Sequence, residues 1–299
     1  MTDAFHLERS TVGRAFDRAS SRYEAAARLQ ASVRATLLER VDELTTGVAP
    51  TVIVDVGAGT GVATAALRKR FRRARVIALD LAPGMLAEAG KHRRWWRSFD
   101  RVRADAGQLP FADHSVDVLF SSLMLQWFDD PALVFAEAAR VLKPGGLLAF
   151  STFGPETLRE LRNAWAEADP EGVHVNRFID VHDLGSALQR TGFAEPVLDV
   201  DRHRQSCADV FELLRGLQAI GAHNVNAGRA RTLTGRQRFG TMVAAYERAR
   251  APTGLPATWE VVYGIAWAGH ARESALRVQP ETRIDAGSLL GRLRRGRKE

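Results

Sequence analysis

The sequence predicts an α/β fold: a mostly parallel sheet with helices on both faces. Three observations predict it. Short apolar runs of strand length alternate with helical patterns between residues 51 and 153. The first run, TVIVDV (51–56), leads into a glycine loop that opens a helix. The chain has 299 residues and is 45% apolar, enough to bury a sizeable core.

The elements follow in order. Residues 14–43 lack proline, and Leu29, Val33, Leu37, Leu38 and Val41 recur at helical spacing. This predicts an amphipathic helix or helix pair. After TVIVDV comes a helix over GVATAALRKRF, then a strand over ARVIALD (74–80). APGMLAEAG (82–90) is a helix with Pro83 near its start. FDRVRAD (99–105), SVDVLFSS (115–122) and GLLAFSTF (146–153) are further strands. PALVFAEAARVL (131–142) is a helix, with KPGG as the turn after it.

Past residue 153 the alternation weakens. Helices are expected over 156–169, over 181–193 with Gly192 ending it, and over 207–220 and 234–249. EPVLDVDR (195–202) and TWEVVYGIAWA (258–268) are expected strands. Residues 1–270 form one domain on this reading, with an N-terminal helical region at 14–45 and a helical insertion at 204–255. Residues 271–299 are a basic tail with little apolar pattern.

Composition narrows the function classes. Cys207 is the single cysteine, so no disulfide framework or cysteine-based metal site exists within one chain. That suits a reducing, cytoplasmic setting. The apolar runs are strand-sized, which predicts neither a signal peptide nor a membrane span. The formal net charge is +7 and the pI about 10.2. Positive charge concentrates in RKRFRRAR (68–75), in KHRRWWR (91–97) and in RLRRGRKE (292–299). Such fields attract anionic partners, although solvated helix faces give the same pattern.

DVGAGTG ends a strand and starts a helix. Glycines there permit a tight turn and close approach of a ligand, and the helix start favours an anion. Alone, the spacing also suits NAD or FAD sites or a plain structural turn. Asp80 ends the second strand, about 20 residues on, where an acid meets a ribose. Met85 and Leu86 follow, able to pack an adenine, and Asp105 ends the third strand. These residues describe a nucleoside-like site.

The ordered set DVGAGTG, ALDLAPGML, RADAGQLPF, SVDVLFSS and KPGG resembles the class I S-adenosylmethionine-dependent methyltransferases across residues 51–153. The resemblance implies a Rossmann-like fold with S-adenosylmethionine as co-substrate and no metal. It places Gly57, Gly59 and Gly61 at the methionine part, Asp80 at the ribose hydroxyls and Asp105 at the adenine amine. Asp55 falls where the family has a loop-organising acid. Leu81, Met85 and Ala106 fall beside these positions, and Tyr23 would close over the methionine part.

The flanking pieces FDRASSRYEAAARLQ, LMLQWF, HVNRF (174–178) and LQAIGAHNVNAGR (217–229) are similar to the malonyl-[acyl-carrier-protein] O-methyltransferases of biotin synthesis, over about residues 14–265. That likeness implies methyl transfer to the free carboxylate of malonyl-acyl carrier protein, or of malonyl-CoA. A carboxylate is ionised at neutral pH and needs no general base. Once buried it needs a partner, and an arginine fork suits it. Arg177 is the first candidate and Arg162 the second. His174 and Asn176 would add hydrogen bonds, and His223 and Asn224 would line the pocket. Ser121 and Ser122 offer polar lining. Trp127 and Phe128 suit a core as well as a site, and Gln126 stands beside them. The basic clusters, Lys91, Arg93, Arg94 and Arg97 among them, would steer an acidic carrier protein.

Other readings remain open on the sequence: a methyltransferase acting on another carboxylate, a small molecule or RNA, and an assembly factor of the protein-arginine-hydroxylase kind. No separate RNA-binding module is visible, so nucleic acid is not the expected partner.

Overall fold

The computed structural model describes residues 6–92, 98–222, 224, 226, 228 and 235–269. The basic tail and Arg93, Arg94, Arg97 and His223 lie outside the described residues.

Seven strands form one sheet: β1 (Val52–Val56), β2 (Arg75–Asp80), β3 (Asp100–Arg103), β4 (Val116–Ser122), β5 (Leu142–Phe153), β6 (Phe193–Cys207) and β7 (Leu255–Ala268). Their order is β3-β2-β1-β4-β5-β7-β6. β1 to β5 pair in parallel, and β7 runs antiparallel to both β5 and β6. The strand order therefore reverses between β1 and β4, where a doubly wound sheet opens its ligand crevice.

Alternate residues feed two cores. Ile53, Ala78, Phe120 and Ala149 face one side, which holds α3 (Arg28–Leu44), α4 (Val62–Arg70), α5 (Pro83–Gly90), α7 (Arg159–Ala168), α9 (Val210–Ala219) and α10 (Arg236–Glu247). Val54, Leu79, Leu119 and Phe150 face the other, against α6 (Pro131–Val141) and α8 (Val181–Arg190). This period of two on both faces is why the strands read as unbroken apolar runs. Asp130, Asp180 and Asp209 cap α6, α8 and α9 through side-chain oxygens.

The N-terminal helical region is three helices: α1 (Arg9–Ala19), α2 (Tyr23–Ala26) and α3. α1 begins five residues before the expected start. β5, β6 and β7 each begin before their expected starts. KPGG belongs to β5, where Leu142 pairs with Val116 and Leu147 with Val118, so the ladder bulges instead of ending. β6 spans 193–207, longer than 195–202, because it pairs with β7 along nearly its whole length. Its outward charges, Asp199, Asp201, Arg202 and Arg204, hide that pairing from a hydropathy pattern. Gly264 is required where the two sheet halves join. A Cβ there would lie 2.2 Å from the Phe150 ring.

Three of the basic side chains of 68–75 are engaged within the fold, while Lys69, Arg72 and Arg73 stay exposed. Arg70 pairs with Asp42, Arg75 with Asp100, and Arg68 donates to three carbonyls.

Candidate active site

The glycine loop turns at the end of β1. Gly57, Gly59 and Gly61 have φ of +74°, +52° and +78°, a region that favours glycine. Their surroundings differ. A Cβ on Gly57 would meet the Met124 side chain at 2.4 Å, and one on Gly61 would meet Ala89 at 2.5 Å. At Gly59 nothing lies within 4 Å. The space over Gly59 belongs to a cleft at the carboxyl ends of the strands.

Asp80 joins this loop to β2. One carboxylate oxygen accepts the Gly59 N–H at 2.8 Å and the other the Ala82 N–H at 2.8 Å. Burial pushes the Asp80 carboxyl above its usual range, against those two hydrogen bonds. Each oxygen keeps a further acceptor position for a hydroxyl. Asp55 lies deeper, 1% exposed, and accepts the Thr64 hydroxyl at 2.6 Å. Burial raises its pKa to about 7. It braces the loop from behind and does not line the cleft.

Asp105, with Ala106, closes the far end of the cleft. Its carboxylate accepts the Gly107 N–H and pairs with Arg9 at 2.8 Å. Leu81, Met85 and Ser122 line the cleft, while Ser121 donates to the Val56 carbonyl instead. Tyr23 lines the cleft from α2, half-buried, and burial raises its hydroxyl pKa.

Sequence reasoning missed α1 as a wall of this cleft. Arg9, Val12, Gly13 and Phe16 line it. Asp17 accepts the Gly84 N–H, and Phe16 meets Trp127 edge-on at 5.2 Å. No local signal marks Arg9, because its partner lies 96 positions away.

A second, mainly apolar cavity adjoins the first. Trp127 lines both. His174, Asn176 and Asn224 lie on its wall, together with Gln126. His174 stacks on Trp165 at 3.7 Å and reaches Asp169 at 2.8 Å. The Asn176 side-chain oxygen accepts from Asn226, and Asn224 donates to the Val173 carbonyl. The polar edge of the cavity is thus a fixed amide network.

Arg162 and Arg177 are not brought to that cavity. They line a third, wider cleft, which shares Phe178 with the second cavity and Phe128 with the first. Arg162 donates to the carbonyls of Pro155 and Thr157. Arg177 is exposed.

The set of donors and acceptors in the first cleft fits a nucleoside bearing an amino-acid arm. The opening over Gly59 admits the arm, and Asp80 and Asp105 offer carboxylates to a sugar and a base.

Known proteins agree with this geometry. Residues 54–150 match the family described as a methyltransferase domain. The fold resembles the YcgJ protein of Bacillus subtilis, with a TM-score of 0.52 and 16% identity over 74% of this chain and 93% of that one. The chain is 46% identical over 295 residues to malonyl-[acyl-carrier protein] O-methyltransferase of Laribacter hongkongensis (strain HLHK9), covering 96% of each. It is 48% identical over 267 residues to the protein of that name from Xylella fastidiosa (strain M23), covering 89% of this chain and 88% of that one. With the nucleoside cleft, the doubly wound sheet and relatives this close along nearly the whole length, the chain belongs to the malonyl-[acyl-carrier protein] O-methyltransferase family.

Proposed function

We propose that the chain methylates the free carboxylate of malonyl-acyl carrier protein, an early step of biotin biosynthesis. The observation that carries this reading is the pair of adjoining cavities. One is a nucleoside cleft with an open glycine cradle, and the other is an apolar chamber reached across Trp127. Full-length relatives bearing the malonyl-[acyl-carrier protein] O-methyltransferase name support the acceptor. A relative from Cellvibrio japonicus (strain Ueda107) named biotin biosynthesis bifunctional protein BioHC supports the pathway.

When bound, S-adenosylmethionine would supply a sulfonium methyl for transfer to a carboxylate oxygen, with the neutral thioether as leaving group. Asp80 would hold the ribose, Asp105 and Ala106 the base, and Gly57, Gly59 and Gly61 would leave room for the methionine arm. Leu81 and Met85 pack the purine, Asp55 keeps the loop in place, and Tyr23 covers the arm. Arg177, exposed in the cleft beside the acceptor cavity, captures the incoming carboxylate, while Arg162 shapes that cleft through its carbonyl contacts. His174 and Asn176 fix the chamber wall. No side chain has to remove a proton, so rate comes from dry, oriented contact between the two reactants.

The test is a mass-spectrometric methyl-transfer assay with S-adenosylmethionine and malonyl-acyl carrier protein, with acetyl-acyl carrier protein as control. The expected result is one methyl gained on malonyl and none on acetyl. No gain with cofactor binding intact refutes the acceptor and brings forward another carboxylate, RNA or a protein arginine. A parallel run with malonyl-CoA ranks the two carriers.

A further inference from the structure

The wall between the two cavities is the segment 122–128. Leu123 sits at φ +53°, a conformation rare for a branched side chain. It is held there from both sides: its N–H donates to the Ser151 carbonyl at 2.9 Å, and its own carbonyl accepts the Gln126 side-chain N–H at 2.6 Å. Gln126 is 8% exposed and lines the acceptor cavity. Its side-chain oxygen accepts from Thr152. The Leu123 carbonyl demands a donor, which settles the orientation of the amide. An amide nitrogen carries two N–H groups, and the second has no partner among the described residues. A buried donor left in that state is a liability unless a ligand takes it. Beside it, Trp127 carries an indole N–H, also without a partner among the described residues, on the ring that both cavities share.

No arginine or lysine is among the described residues lining the acceptor cavity. The chemistry accounts for this. An anion and a sulfonium become a neutral ester and a thioether, so charge disappears along the reaction. A fixed cation on the carboxylate would stabilise the starting state more than the transition state. Neutral donors avoid most of that penalty while still fixing direction.

We propose that Gln126 and Trp127 are acceptor-binding residues, donating hydrogen bonds to one oxygen of the substrate carboxylate at the partition. The other oxygen is then presented to the cofactor cavity. The inference rests on the proposed malonyl acceptor and divides the labour: Arg177 captures, and the Gln126–Trp127 pair orients.

The experiment is steady-state kinetics with malonyl-acyl carrier protein, alongside calorimetric S-adenosylmethionine binding and thermal melts, for wild type, Gln126→Leu and Trp127→Phe. The expected result is a kcat lowered about tenfold to a hundredfold in Gln126→Leu and about tenfold in Trp127→Phe. Cofactor Kd should stay within about twofold in Gln126→Leu, since Gln126 lines only the acceptor cavity. Because segment 122–128 also lines the cofactor cleft, a merely structural role would move cofactor Kd together with kcat in that variant, and that result overturns the inference. Unchanged kcat overturns it too. A wild-type chain that binds cofactor but leaves malonyl unmethylated overturns the acceptor reading, and this inference falls with it.

Discussion

Arg9 on α1 and Asp105 after β3 form an ion pair of 2.8 Å across the mouth of the cofactor cleft. The Arg9 guanidinium also lies 5.6 Å from the Phe128 ring centre. The pair therefore ties the N-terminal helix to the end of the cleft assigned to the base. Arg9→Ala is expected to weaken S-adenosylmethionine binding about three- to tenfold, mainly through faster dissociation. The Arg9 side chain is 47% exposed, so melting temperature should hardly move. Stopped-flow cofactor release at two salt concentrations checks this. An unaltered off-rate would detach α1 from cofactor retention.

The glycine loop predicts a division between folding and binding. Gly61→Ala drives a methyl into the Ala89 backbone and side chain and should destabilise the fold by about 2 kcal/mol or more. Gly59→Ala enters open space at φ +52°, adding only about 1–2 kcal/mol of backbone strain. Its methyl would occupy the cradle, so cofactor affinity should fall at least about tenfold while most of the stability remains. Denaturant melts and calorimetry on the two variants separate these effects.

Asp55 makes stability depend on pH. Its folded pKa, about 7, stands above its unfolded value because of burial. Between roughly pH 4 and 7 the unfolded chain ionises this group while the folded chain keeps it protonated. Stability therefore falls as pH rises through that window and stays lowered above it. Asp55→Asn keeps an acceptor for Thr64 and removes the ionisation. The cofactor-free variant should melt a few degrees above wild type at pH 8, with the gap narrowing toward pH 4. A gap that widens on acidification would reverse the assignment.

Arg177→Ala tests capture of the acceptor. KM for malonyl-acyl carrier protein should rise about tenfold or more, with kcat changed far less and cofactor binding near wild type. Full catalytic efficiency in this variant would remove Arg177 from substrate handling.

The strands at 51–56 and 74–80, the glycine loop and Asp80 were legible in the sequence because each is a local event: an apolar run, a forced turn, an acid at a strand end. β6 was legible only in part, since its partner lies some 60 residues on and its outer face is charged. Tyr23 was placed at the cleft from family likeness, whereas Arg9 was invisible, because helix periodicity says nothing of what a helix end will touch. HVNRF showed the limit most plainly. Five consecutive residues spread over two cavities, with Asn176 facing one and Arg177 the other. Adjacent positions in an irregular segment diverge, and only the fold decides which side each one serves.

The reversed strand β7 has a consequence for assembly. β6 reaches the sheet only through β7, which occupies the slot between β5 and β6. During synthesis β1 to β5 can pair as they emerge, but β6 must wait until residues 255–268 exist. Until then β5 presents a bare hydrogen-bonding edge of mostly buried apolar residues, the kind of surface that recruits other chains. The helices α9 and α10 are made during that interval. The second, apolar cavity, which takes Leu217 from α9 and Trp259 from β7, is completed by the same event that seals the sheet. The cavity proposed for the acceptor therefore draws on the last strand to be made, whereas the residues around the nucleoside cleft all precede residue 129.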